Sequence, residues 1–222
     1  MSGPAFAPWL PRVKVCGVTR PGDAARAVEL GAAAIGMIFW PGSPRAIDVA
    51  TARAIAREVP PLIATVGVFV DEDPAAIARV ADAVPLAVVQ LHGDEPPDVL
   101  AQLARPVIKA MAPSAPGAEA RAARWPAWVT LLLDAHDPGR RGGTGQTADW
   151  TIAAAWAHRR RVVLSGGLHA GNVREAIARV QPWAVDVASG VESEPGVKDA
   201  ARLSAFFQAV AAAAESAGEE RA

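Results

Sequence analysis

Short apolar runs rich in β-branched residues alternate with longer, Ala-rich stretches along nearly the whole chain. The runs fall at 12–16, 34–39, 63–69, 87–91, 107–111, 129–134, 161–165 and 184–188, and most of them lack a polar face. Strands apolar on both sides belong in a parallel sheet covered by helices. Between the runs the pattern predicts helices at 22–30, 48–58, 74–83, 96–104, 117–123, 150–157, 170–180 and 199–214. Asp48 and Asp73 stand where a side-chain oxygen can accept from the free amides of a first turn, and Pro74 and Pro96 suit an opening helical position. Only a short helix fits after residue 111, because Pro113, Pro116 and Gly117 interrupt the chain. Eight βα units in succession predict a single-domain α/β fold, a closed (β/α)8 or TIM barrel, since closure removes the two edges that an open eight-stranded sheet exposes. An open doubly wound sheet is the alternative.

Composition narrows the partners. A chain of 222 residues, 51% of them hydrophobic, can bury one substantial core. The expected division is an extension over 1–11, a barrel over 12–215 and a tail over 216–222. With 22 Lys+Arg against 23 Asp+Glu there is no net field to favour nucleic acid or an anionic bilayer, so any bound anion must be held locally. The lone cysteine, Cys16, cannot form an internal disulfide. Residues 1–11 carry three prolines and no basic cluster, which is not the pattern of a signal peptide, and no apolar run approaches the ~18 residues of a membrane span. A cytoplasmic protein is expected. Four histidines without paired spacing give no metal site.

In a barrel of this kind the chemistry sits just beyond the carboxyl ends of the strands. There the first run ends in Cys16, a thiol placed to act as base or nucleophile. The sixth ends in Asp134, where apolar neighbours oppose ionisation and so suit a general acid. The glycine-rich loop after it, including 139–145, reads as a mobile cover. Gly166 and Gly167 follow the seventh run, and Ser189 and Gly190 the eighth, so that backbone amides of both loops can approach a phosphate. Arg45 offers a forked donor to a carboxylate or phosphate, and Gln90 and His92 offer polar contacts to a substrate. Lys14 and Lys109 lie inside strands, facing either side.

The strings 14–19 (KVCGVT), 36–45 (GMIFWPGSPR), 66–70 (VGVFV), 89–95 (VQLHGDE), 132–134 (LLD), 142–145 (GGTG), 164–168 (LSGGL), Asn172-Val173 and 186–193 (DVASGVES) resemble the phosphoribosylanthranilate isomerase family in order and spacing from about Arg12 to about Phe207. The resemblance implies a tryptophan-pathway enzyme that converts N-(5-phosphoribosyl)anthranilate to 1-(2-carboxyphenylamino)-1-deoxyribulose 5-phosphate by an Amadori rearrangement. It implies Asp134 as the general acid, Cys16 as the general base and Arg45 facing the anthranilate carboxylate. Gln90, His92, Gly166, Gly167, Asp186, Ser189 and Gly190 fall at substrate-binding positions. No metal or organic cofactor is implied, and the expected assembly is a monomer or homodimer acting on a small phosphosugar-anthranilate substrate. Trp40, Gln146 and Ala188 depart from the more usual residues, and Ala188 loses a hydroxyl donor in a phosphate loop. Two neighbouring phosphosugar enzymes are disfavoured by the cysteine at the first strand's end. A catalytically silent barrel kept as a binding module is the other reading.

Overall fold

The computed structural model describes residues 11–134 and 149–219. Its strands are β1 (Arg12–Val15), β2 (Ala34–Ile38), β3 (Ala64–Phe69), β4 (Val88–Leu91), β5 (Val107–Met111), β6 (Thr130–Leu133), β7 (Val162–Leu164) and β8 (Ala184–Val187). They pair in chain order, all parallel, and β8 closes on β1. The helices are α1 (Pro21–Glu29), α2 (Val49–Arg57), α3 (Pro74–Ala83), α4 (Ala118–Ala123), α5 (Trp150–Ala157), α6 (Val173–Val180) and α7 (Ala200–Glu219). The open doubly wound sheet is thereby excluded.

Local chemistry explains most of the boundaries. The Asp48 carboxylate accepts from the Thr51 amide at 2.8 Å, and Asp73 accepts from Ala76 at 3.2 Å, capping α2 and α3. Asp149 caps α5 in the same way, accepting from Thr151 at 2.9 Å. Several strands stop one residue short of their apolar runs, because Cys16, Asp134, Ser165 and Ala188 already belong to the loops that follow. The helix expected at 96–104 is a 3-10 helix, Pro97–Gln102, and α6 starts at Val173 rather than residue 170. A hairpin of β9 (Glu192–Glu194) and β10 (Val197–Lys198) follows β8 and was not expected. Strands of three and two residues are too short to show alternation in a sequence.

Because successive strand side chains alternate, the barrel has two apolar regions. Ile108, Ala110, Leu132, Val163, Trp183 and Ala184 pack together within the ring. Val13, Val15, Ile35, Met37, Leu131, Leu133, Leu164 and Val185 pack outward into the layer under the helices. Alternation therefore turns Lys14 and Asp186 inward, each between outward-facing valines. Lys109, between inward Ile108 and Ala110, turns outward, where it meets Glu95 at 2.7 Å and lies 5.7 Å from the Trp125 ring.

On α7, Leu203, Phe206 and Val210 form the buried stripe. Phe206→Ala is expected to cost about 3–5 kcal/mol of unfolding free energy, measured by urea titration, because its ring is fully enclosed and its removal opens a cavity under α7.

Candidate active site

Cys16 is the first residue beyond β1, and its amide donates to the Val187 carbonyl at 2.8 Å, which continues the β1–β8 ladder by one step. Its thiol is buried. A side-chain carbon at Gly36 on β2 would lie only 2.9 Å from Sγ, so the thiol occupies space that this glycine leaves open. Two residues earlier on the same strand face, Lys14 forms an ion pair with Asp186 at 2.7 Å and brings its charge to bear on the Cys16 side chain. Ser165 donates to the other Asp186 oxygen at 3.2 Å. Burial works against the Lys14 charge, but Asp186 and Cys16 more than offset it and hold the ammonium above its ordinary pKa. Burial pushes the Cys16 thiol up as well, and the Lys14 charge pulls the other way without cancelling the shift.

Asp134 follows β6 and donates its amide to the Met111 carbonyl at 3.0 Å, which anchors it on the β5–β6 ladder. Its carboxylate is buried, with Oδ2 3.5 Å from His92 Nε2. His92 Nδ1 lies 3.0 Å from the Gln90 side-chain nitrogen. Gln90 thus fixes the ring through Nδ1 and leaves Nε2 facing Asp134. Gln90 Oε1 is buried with no partner among the described residues. Gln90, His92 and Asp134 thus form one chain of polar groups from β4 to β6, while Cys16, Lys14, Asp186 and Ser165 form another from β1 to β7. The loops after β7 and β8 lie between Cys16 and Asp134 around the ring.

In those loops Gly166 and Gly167 have φ of 88° and 63°, a region open to glycine at little cost. Asn172 ties the loop to α6, donating to the Gly167 carbonyl at 2.9 Å and accepting from the His169 amide at 2.8 Å. Ser189–Val191 form a short 3-10 turn. Gly190 packs against the Leu168 carbonyl so closely that a side chain there would collide with it. The two glycine loops therefore touch, as an anion cradle shared between them requires.

Arg45 is buried and grips Glu192 with Nε at 2.9 and 3.1 Å and with Nη2 at 2.6 Å. Lys198 reaches Glu192 at 2.6 Å and also donates to the Cys16 carbonyl at 2.6 Å and the Ala188 carbonyl at 3.3 Å. Burial opposes ionisation of Glu192, but the hydrogen bonds and charges of Arg45 and Lys198 outweigh it and hold the carboxyl below its ordinary range. Its stabilising contribution is therefore present above the ordinary carboxylate pKa and is lost as pH falls through the lowered value. Glu192 falls within the 186–193 string without a role of its own there, and Lys198 lies outside every string singled out in the sequence. Asp186, expected at a substrate-binding position, has both carboxylate oxygens engaged by Lys14 and Ser165. The glycine-rich segment 139–145 and Gln146 lie outside the described residues. No cluster of potential metal ligands occurs among the described residues. A cavity of about 450 Å³ opens beside the 3-10 helix and α4, bordered by Glu95, Lys109 and Trp125, on the outer flank of β5.

A family model described as N-(5'-phosphoribosyl)anthranilate isomerase matches residues 13–209. A Pseudomonas putida protein of that name is 47% identical over 201 residues, covering 90% of this chain and 97% of the relative. One from Thiobacillus denitrificans is 47% identical over 197 residues, covering 88% and 96%. The crystal structure of phosphoribosyl anthranilate isomerase from Thermotoga maritima superposes with a TM-score of 0.85 at 42% identity, over 91% of this chain and 100% of that one. Another, in complex with reduced 1-(o-carboxyphenylamino)-1-deoxyribulose 5-phosphate, superposes at 0.81 with 41% identity, over 91% of this chain and 100% of that one.

Replacing Lys14 with methionine removes the charge that opposes the rise in the Cys16 pKa, so the thiol is expected to titrate at higher pH than in the parent. The chain has one cysteine and no tyrosine, so thiolate absorbance in the ultraviolet reports that single group. An unmoved or lower titration would show that Lys14 does not govern the thiol.

Proposed function

The chain belongs to the N-(5'-phosphoribosyl)anthranilate isomerase family, and on that premise we propose that Asp134 and Cys16 carry its reaction as general acid and general base. The activity is an aldose-ketose isomerisation in tryptophan biosynthesis, from N-(5-phosphoribosyl)anthranilate to 1-(2-carboxyphenylamino)-1-deoxyribulose 5-phosphate. Asp134 gives its proton to the ribose ring oxygen as the bond from that oxygen to C1 breaks and the anthranilate nitrogen lone pair forms the C1 imine. The Cys16 thiolate takes the proton from C2, giving an enol amine that relaxes to the C2 ketone as C1 is reprotonated. One proton is given and one taken at the mouth, and the substrate is rearranged without net oxidation, so two side chains suffice.

The observation that carries this reading is the placing of the two groups. Cys16 and Asp134 are buried at the carboxyl ends of β1 and β6, on either side of the two touching glycine loops. A sugar phosphate held by amides around Gly166, Gly167, Ser189 and Gly190 would extend between them. His92, held by Gln90, steadies the Asp134 carboxyl from the β4 side. Arg45 takes the anthranilate carboxylate through a charge-assisted hydrogen bond. The catalytic unit is residues 12–215, and the setting is cytoplasmic; no helix among the described residues is long and apolar enough to cross a membrane. The chain associates at most as a homodimer, the form named for a Thermotoga maritima neighbour. Leu62 and Trp128 are the large apolar side chains exposed among the described residues, and both lie in loops that enter strands, on the face of the barrel away from the proposed site.

Cys16→Ala and Asp134→Asn are each expected to lower turnover of freshly made substrate by at least about 100-fold while leaving binding of ribulose 5-phosphate largely intact. Near-native turnover in either variant removes the acid-base assignment. Gly190→Ala, by forcing a methyl group against the Leu168 carbonyl, is expected to raise KM about tenfold or more through the phosphate, since charge-assisted hydrogen bonds are each worth that much. Weaker binding of inorganic phosphate by calorimetric titration, with an unchanged circular dichroism spectrum and urea midpoint, separates this from a loss of fold.

A further inference from the structure

We propose that Glu192 and Lys198, at the two ends of the β9–β10 hairpin, position Arg45 for the substrate's ring carboxylate, so that preference for a carboxylated ring depends on a hairpin that need not touch the ring. The inference rests on the reading of Arg45 given above and adds to it the device that sets the arginine's direction.

Three observations carry it. A guanidinium has two edges that a carboxylate can grip in parallel: the side formed by Nε with Nη2, and the end formed by Nη1 with Nη2. Glu192 occupies the side edge through three contacts of 2.6 to 3.1 Å, which leaves the end edge for a second carboxylate and fixes the plane in which it is presented. An unheld arginine in a loop would have to surrender its rotamer freedom on binding; this one has already done so. The Arg45 stem passes directly over Gly17, where a side-chain carbon would come 2.5 Å from Cδ, so the backbone after Cys16 is shaped to let the arginine through.

Charge is the second observation. Arg45 and Glu192 alone would cancel, and a neutral pair has little attraction for an incoming carboxylate. Burial pushes the Lys198 pKa down and the Glu192 carboxylate 2.6 Å away opposes that shift; with its ammonium protonated, the trio carries one net positive charge. The third is connectivity. The same ammonium donates to the carbonyls of Cys16 and Ala188, so a single side chain ties the arginine's anchor to the proposed base and to the β8 loop.

The test uses two ligands: reduced 1-(2-carboxyphenylamino)-1-deoxyribulose 5-phosphate and the same molecule without the ring carboxyl. The quantity read is the ratio of their dissociation constants in the full-length protein. Glu192→Gln keeps the shape and adds one unit of positive charge, but cannot accept from both guanidinium nitrogens as a carboxylate does; because direction outweighs added charge in this reading, it is expected to cut the preference for the carboxylated ligand about tenfold, with KM rising and kcat within a few-fold of the parent. Lys198→Met, which removes the net charge while leaving Arg45 and Glu192 in place, is expected to cut the same ratio. Affinity for the ligand lacking the carboxyl should stay within a few-fold in both, which also shows that the variants are folded. In the double variant with Arg45→Lys, the Glu192→Gln loss should vanish. If Arg45→Lys alone leaves the preference intact, the reading of Arg45 falls and this inference with it. If Arg45→Lys abolishes the preference but Glu192→Gln and Lys198→Met do not change it, or weaken both ligands equally, the inference alone is overturned.

Discussion

The ring closes through four register pairs between β8 and β1, and that ladder is the constraint on which the site depends. It sets Lys14 opposite Asp186 inside the barrel, and the bond from the Cys16 amide to Val187 extends it to the thiol. The first strand of the chain and the last of the barrel therefore supply neighbouring parts of one polar cluster, although Lys14 and Asp186 are separated by 172 positions. An open sheet with the same elements would leave β1 and β8 at opposite edges, with the thiol and the β8 loop apart.

Buried ions recur around the carboxyl end of the ring. Lys14 with Asp186, Arg45 and Lys198 with Glu192, and Lys109 with Glu95 are all close pairs with little solvent contact. Each pays a desolvation cost that its Coulomb attraction roughly offsets, so such pairs contribute little net stability compared with apolar residues of equal volume. Their effect is on geometry, because removing one partner strands the other in a poorly solvated interior. The Lys109 pair shows the same logic in the outer layer: Glu95 also accepts from the amides of Asp71 and Gly93, while Lys109 donates to the Gly93 carbonyl at 2.6 Å. The loops after β3 and β4 are thus joined, and His92, which precedes Gly93, is held where it faces Asp134.

The stability and the proposed chemistry of the barrel occupy different levels of the same strands. Outward valines, leucines and isoleucines join strand to helix, and their inward neighbours near the carboxyl end carry charge. Cys16 illustrates the compromise. Burial raises its pKa, which favours the thiol over the thiolate, and Lys14 beneath it returns part of what burial removes. A base that is enclosed yet ionisable needs such a counter-charge, and on a strand it can come from the residue two positions away on the same face.

Apolar periodicity determined the eight strands, their order and the parallel sense, because a buried strand must be apolar on both faces whatever its neighbours are. The same rule marked the polar residues ending those runs, which is why Cys16, Asp134 and the glycine pairs are legible in the sequence by their positions alone. Alternation alone could not say which way Lys14 and Lys109 point, since the absolute face of a strand is fixed only when the ring closes and gives it an inside. Nor could it show the β9–β10 hairpin, whose pairing comes from two very short segments, or the joining of Arg45 to Glu192 across 147 positions. Those contacts are decided by where the chain brings opposite charges together away from water, and that exists only in three dimensions.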